Sequence, residues 1–156
     1  MTKHLSITLF LAAILVSCGS PSVKEGTYIP EDLSRRDEIR FKQYVVNGQR
    51  GYMTNCANCH GKEGEGIGKL FPPVAKSDYL MKNLDKLACI IKYGQKGEIV
   101  VNGVSYNMEM PGQAELSPIE TAEISTFIAN SWGNEGGFIT VKAVRENLEN
   151  CESTSR

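Results

Sequence analysis

Hydrophobic residues recur at helical spacing in four stretches of the chain, and segments rich in glycine, proline or polar residues separate them. The first stretch predicts a helix over about 37–55, in which the Asn47-Gly48 step is a candidate break. The second predicts a helix over about 84–93, for which Gly94 supplies a C-terminal stop. The pattern is that of a largely helical protein.

The third and fourth stretches carry clearer end signals. Ser117 is a candidate N-cap, Pro118 suits the first helical position, and Glu120 completes a capping box. Gly133 lies just beyond the predicted end of this helix, and a final helix is predicted to begin near Thr140. The apolar positions of the final helix share one inward face, which carries Val141, Val144, Leu148 and Cys151.

One β-hairpin is predicted between the second and third helices, because Asn102-Gly103 separates two short β-prone runs. The chain has 156 residues, of which 41% are hydrophobic and 22% charged, which fits one small domain. The expected fold is mostly α, with a small Asn-Gly hairpin and a C-terminal helical extension. A net charge of −1 and the lack of any nucleic-acid motif give no reason to expect a nucleic-acid partner.

The N-terminal residues are predicted to direct export. Residues 5–16 form an uncharged apolar run, which is shorter than the roughly 20 residues of a membrane span and suits the h-region of a signal peptide. The run ends in Leu15-Val16-Ser17-Cys18-Gly19, which resembles a bacterial lipobox whose cysteine becomes the acylated N-terminus. The alternative is an ordinary secretory signal in which Cys18 falls by chance.

These features divide the chain into a lipoprotein signal peptide (1–17), a lipid-anchored tether (18–36) and a folded domain with its extension (37–151). Glycine, serine, proline and charged residues without an apolar period predict the tether. We expect an exported, periplasm-facing protein that meets a membrane through its lipid anchor. By analogy with other lipoproteins, Gly19 after the cysteine favours the outer membrane over the inner one.

The sequence Cys56-Ala57-Asn58-Cys59-His60 carries the clearest chemical signal. Two cysteines one helical turn apart can each bond a haem vinyl group, and the following histidine can coordinate the iron, which is how c-type haem is attached. A dithiol redox pair is the first alternative, but it usually follows a strand in a βαβ unit, which the pattern lacks. A zinc site is the second, but no other C-x-x-C motif is present. We therefore predict one haem c.

A second axial ligand is expected from a methionine. The other histidine, His4, falls in the predicted signal peptide, whereas Met108 and Met110 lie in a loop 48 and 50 residues after His60. Met110 is preferred because Pro111 stiffens the backbone beside it, and Met108 is the alternative. Methionines that merely fill gaps in the core are the competing interpretation.

The His60 ring also needs a hydrogen-bond acceptor to fix its orientation. Pro72 and Pro73 are candidates for the carbonyl that accepts the second ring N–H, because prolines hold the chain stiffly. A plain surface turn is the alternative for these prolines.

Two cysteines remain after the lipid and haem assignments. In an oxidising compartment Cys89 and Cys151 are expected to form a disulfide. Cys89 lies off the apolar face of its predicted helix, so the final helix would have to cross that flank. Two independent buried thiols are the alternative.

Residues 40–133 resemble the mono-haem class I c-type cytochrome domain. The shared features are CANCHG, the glycines before FPPV, IKYG, the VNG…Y hairpin, MPG and the helix ending in NSWGN. The resemblance implies a cytochrome c fold with crossing N- and C-terminal helices. It also implies Cys56 and Cys59 as attachment residues, with His60 and Met110 as axial ligands.

The resemblance further implies an electron carrier rather than an enzyme, with no small-molecule substrate. The extension FITVKAVRENLENC resembles tails of a subgroup that is fused to, or works with, copper or quinoprotein enzymes and respiratory complexes. Expected partners are therefore redox proteins such as a respiratory complex, an oxidase, or a copper or quinoprotein enzyme. A haem enzyme or gas-binding sensor with an open distal site is the alternative function, and a fixed subunit of a respiratory complex is an alternative context.

Overall fold

The computed structural model describes residues 22–154, with the side chains of 152–154 excepted. Residues 1–17 and Cys18, the predicted signal and anchor, lie outside that range. The helices are α1 (Arg35–Asn55), α2 (Ala57–His60), α3 (Asp78–Lys82), α4 (Leu87–Tyr93), α5 (Pro118–Ala129) and α6 (Val141–Thr154), with a 3₁₀ turn at Leu84–Lys86 before α4. The strands are β1 (Gly94–Gln95), β2 (Ile99–Val101), β3 (Val104–Tyr106) and β4 (Met110–Pro111). The mostly α prediction is confirmed.

Helix α1 packs against α5, and glycine makes their close approach possible. A Cβ atom on Gly48 would lie 1.9 Å from the backbone oxygen of Glu123, and one on Gly51 would lie 2.8 Å from Ile124 Cγ1. The predicted break at Asn47-Gly48 is therefore wrong: α1 runs unbroken through this step. Gly48 serves the contact between two helices rather than a turn.

The ends of α5 follow the sequence signals. The Ser117 hydroxyl accepts from the Glu120 N–H, and the Glu120 carboxylate accepts from the Ser117 N–H, which completes the predicted capping box. Pro118 occupies the first helical position. Eight residues of this helix are buried, so α5 forms the centre of the core together with α1 and α4.

Two small antiparallel pairs complete the architecture. Strands β2 and β3 form the predicted hairpin, with Asn102 and Gly103 at positive φ angles of 50° and 79° as a type I′ turn requires. Strands β1 and β4 pair Gln95 with Met110, a long-range contact that no local signal predicts. The second predicted helix begins as a 3₁₀ turn and becomes α-helical only at Leu87.

The C-terminal extension lies against the body of the domain. Val144 of α6 is fully buried and packs in a cluster with Tyr44 of α1, Ala88 of α4 and Ala122 of α5. A disulfide joins Cys89 of α4 to Cys151 of α6, with the two Cα atoms 6.1 Å apart. Helix α6 thus crosses the flank of α4 on which Cys89 lies.

Residues 22–34, which we call the N-terminal arm, pack on the domain, so the free tether predicted over 18–36 does not hold for the described part of that range. The Tyr28 N–H donates to the Asn130 carbonyl at 2.8 Å, and Lys24 pairs with Glu63 at 2.5 Å. Three apolar side chains of the arm contact the core, namely Val23, Ile29 and Leu33. Between residues 22 and 154, no helix combines the length and the apolar character that crossing a membrane requires.

Candidate functional site

A largely apolar cleft opens beside α2 and extends between α4, α5 and the β2–β3 hairpin. It encloses about 1240 Å³ of space outside the protein atoms, part of it open to solvent. Its apolar wall includes Leu80, Leu87, Ile91, Val101, Ile124 and Ile128. All three residues of the predicted attachment motif and both candidate methionines line the same cleft.

The end of α1 and the start of α2 position the two thiols. Cys56 is the C-cap of α1 and precedes α2, and the His60 N–H donates to the Cys56 carbonyl at 3.0 Å. One helical turn therefore carries Cys56, Cys59 and His60. Burial, with a smaller contribution from Cys59, raises the pKa of the Cys56 thiol to about 11. The Cys56 sulfur is consequently a protonated thiol at neutral pH.

The His60 side chain is held in one orientation. The ring is 9% exposed, and its Nδ1 lies 2.9 Å from the Pro72 carbonyl oxygen. The structure thus selects Pro72 from the two candidate prolines, while Pro73 lines the cleft. Burial lowers the pKa of His60, which favours a neutral ring whose Nδ1–H donates to Pro72 and whose Nε2 is left as a lone-pair donor.

Met110 is the more enclosed of the two candidate methionines. Met108 is 51% exposed, whereas Met110 is half-buried in β4, where its backbone pairs with Gln95. The loop can approach α4 only because two glycines leave room. A Cβ on Gly94 would lie 2.2 Å from the Met110 carbonyl oxygen, and one on Gly112 would lie 2.5 Å from the Lys92 carbonyl oxygen.

Two supporting residues were not predicted from the sequence. The Tyr52 hydroxyl donates to the Gly61 carbonyl at 2.6 Å and so fixes the residue after His60. Asn134 is buried; its Nδ2 donates to the carbonyls of Val74 and Ile128 at 2.8 Å, and its Oδ1 accepts from the Ser77 N–H at 3.3 Å. Asn134 belongs to the NSWGN segment that the resemblance singled out, but the sequence does not indicate which backbone groups its amide hydrogen-bonds.

The residues of the cleft fit a covalently attached haem. Cys56 and Cys59 supply two thiols one turn apart, His60 presents Nε2, and a thioether is available from the Met110 loop. The apolar walls suit a macrocycle and exclude water from its faces. This combination of donors, which lies within a single cleft, is what c-type attachment requires.

Comparison with known proteins agrees with this chemistry. The family model for cytochrome c matches residues 45–132. A cytochrome c-552 from Thermus thermophilus is 37% identical over 83 residues, which cover 51% of this chain and 63% of that protein. The cytochrome c subunit of an alcohol dehydrogenase (quinone) from Gluconobacter oxydans is 30% identical over 137 residues, covering 85% of this chain and 28% of that subunit. The chain therefore spans less than two thirds of the length of these relatives.

Proposed function

The chain belongs to the cytochrome c family, whose members bind haem c covalently, and on this premise we propose that it is a one-electron carrier with a single haem. The observation that carries the proposal is the position of Cys56, Cys59 and His60 on one turn at the wall of an apolar cleft, with the His60 ring fixed by the Pro72 carbonyl. When bound, the haem supplies an iron that takes up and releases one electron.

The residues of the cleft have distinct roles in this proposal. Cys56 and Cys59 would hold the haem through thioether bonds, and His60 and Met110 would supply the ligands of the iron. Because the protein would then supply both ligands, a substrate would find no open coordination site, which favours electron transfer over catalysis. Methionine ligation and the apolar walls both favour the reduced, less charged iron and raise the reduction potential.

The proposal also includes the cellular location of the protein and its partners. The lipobox-like segment supports export and acylation of Cys18, with the domain facing the periplasm, on the outer membrane rather than the inner one. Redox proteins are the proposed partners. Relatives that are cytochrome c subunits of an alcohol dehydrogenase (quinone) support a dehydrogenase of that kind among them.

The attachment and ligation are tested on the purified holoprotein. Haem should remain with the chain after acid–organic extraction, and mass spectrometry should show one haem per chain. The oxidised protein should show the near-infrared sulfur-to-iron band, and Met110→Ala should abolish it. Met108→Ala is the matched control and should leave the band in place. Extractable haem, or a wild-type ferrous protein that binds carbon monoxide readily, would contradict the proposed carrier.

The anchor is tested by Cys18→Ser. We expect the variant either to keep its signal segment or to leave the membrane fraction, because no thiol remains for acylation. Cys151→Ser provides a control in which a cysteine is lost from the folded domain. Normal cleavage with unchanged membrane retention in Cys18→Ser would remove the support for a lipoprotein.

A further inference from the structure

We propose that the C-terminal extension, through the Cys89–Cys151 disulfide, is a positioning element for the Met110 ligand loop. The extension lies outside residues 45–132, which the family model matches. The inference rests on the proposed function, because it presumes Met110 as the axial ligand. It assigns a role in the redox site to a helix that does not line the cleft.

The first step is the attachment of the loop to the C-terminal end of α4. The Gln113 N–H donates to the Ile91 carbonyl at 2.8 Å, and Gly94 and Gln95 pair with Pro111 and Met110. The close approach at Gly94 and Gly112 leaves no room for a side chain on either glycine. The position of Met110 therefore follows the position of the last turn of α4.

The second step is the attachment of α4 itself. This helix has only seven residues, and its buried face is formed by Leu87, Ala88 and Ile91. Its other flank is held by the bond from Cys89 to Cys151. Cys89 lies five residues before Gly94, about 7.5 Å along a helix axis, so a constraint at Cys89 limits rotation at the point where the loop docks.

The third step is the attachment of α6 to residues of α1 and α5 that do not themselves line the cleft. Val144 of α6 is fully buried, and Leu148 packs against the cluster of Tyr44, Ala88, Ala122 and Val144. The disulfide therefore ties α4 to a helix that is anchored on α1 and α5. Without the bond, α4 depends on one apolar face, and we expect the Met110 loop to open more often.

The experiment measures this opening directly on the oxidised holoprotein. Added imidazole competes with the Met110 thioether for the iron, so its apparent affinity is the intrinsic affinity multiplied by the fraction of molecules with the loop open. In the Cys89→Ala/Cys151→Ala double variant we expect about a tenfold tighter apparent affinity for imidazole. We also expect loss of the near-infrared band at a lower urea concentration than loss of helical circular dichroism.

Two further variants make the result specific. Val45→Ala removes buried volume on α1, at a position that does not line the cleft, and so reports general destabilisation. It should leave the imidazole affinity within about twofold of wild type. Leu148→Ala keeps the disulfide but weakens the packing of α6, and it should shift the affinity in the same direction as the double variant, by less. If the double variant does not bind haem, the imidazole affinity of Leu148→Ala provides the test instead.

The outcomes separate this inference from the proposed function. If the wild-type protein lacks the near-infrared band, or keeps it in Met110→Ala, the proposed ligation is wrong. If the wild type shows the band but the disulfide variant and Val45→Ala have the same imidazole affinity, the ligation stands and the positioning role of the extension is overturned.

Discussion

At the scale of single residues, the groups that would touch the haem are held by a second set of residues: Pro72 accepts a hydrogen bond from His60, and the Tyr52 hydroxyl fixes Gly61. Covalent attachment requires a fixed spacing, so Cys56, Cys59 and His60 are visible in the sequence. The choice of Pro72 over Pro73 needed coordinates, because both carry a carbonyl. Asn134 joins segments 60 residues apart, and no local pattern indicates that.

Asn134→Ala should destabilise the holoprotein by about 2–4 kcal/mol, because the substitution leaves the Val74 and Ile128 carbonyls and the Ser77 N–H without their amide partner in a buried site. Urea denaturation followed by circular dichroism measures this. The exposed amide of Asn47 donates to Glu123 across the surface, so Asn47→Ala is the control and should change stability by less than about 0.5 kcal/mol. Equal losses of unfolding free energy in Asn134→Ala and Asn47→Ala would show that the buried hydrogen bonds of Asn134 do not stabilise the protein more than a surface bond does.

At the scale of elements, the capping box of α5 and the hairpin turn were predicted from the sequence, whereas the contact at Gly48 and the β1–β4 pair were not. The capping box of α5 and the Asn102-Gly103 turn lie where the sequence placed them, since each is complete within four residues. Gly48 was misread as a break because its role depends on α5, which is about 70 residues further along the chain. The β1–β4 pair was missed for the same reason.

Gly48→Ala tests the contact between α1 and α5. Helix propensity alone would make this change stabilising by about 0.5–1 kcal/mol, but the added methyl would meet the rigid backbone of Glu123. We therefore expect a net loss of about 1–3 kcal/mol, as for an overpacked core. Gly51→Ala is the matched comparison, since its methyl meets the Ile124 side chain, which can move, and its loss should be smaller. A more stable Gly48→Ala protein would show that the helices are free to separate.

At the scale of the whole molecule, the N-terminal arm is part of the domain although its sequence resembles a linker. Its three apolar contacts, Val23, Ile29 and Leu33, are too widely spaced to form a helical or strand pattern. Lys24 of the arm donates to the Glu63 carboxylate, which also accepts from the Trp132 indole N–H. The backbone bond from Tyr28 to Asn130 adds a third type of contact.

The arm should loosen in acid. Two hydrogen bonds lower the pKa of Glu63: the one from Lys24 has the larger effect and the one from Trp132 the smaller. The ionised Glu63 carboxylate therefore holds the arm at neutral pH, and this stabilisation is lost as the pH falls through the lowered pKa. In the reduced holoprotein, we expect the NMR signal of the Trp132 indole N–H to shift with Glu63 protonation. Glu63→Gln should remove that titration. Because exposed ion pairs contribute little, the global stability of the Glu63→Gln protein should hardly differ from that of wild type. A Trp132 indole signal that does not titrate in the wild-type protein would show that Glu63 does not control the arm.

The four described cysteines form two pairs that differ in oxidation state. Cys56 and Cys59 are free thiols that must stay reduced until haem is attached, whereas Cys89 and Cys151 are oxidised. Cys151 follows Cys89 by 62 residues, so under the proposed export Cys89 would reach the oxidising compartment before Cys151, while the motif cysteines are already there to exchange with it. Early haem attachment would remove both motif cysteines as competitors before Cys151 arrives. The proposed cofactor would thereby direct the disulfide that holds α6, a helix that does not line the cleft.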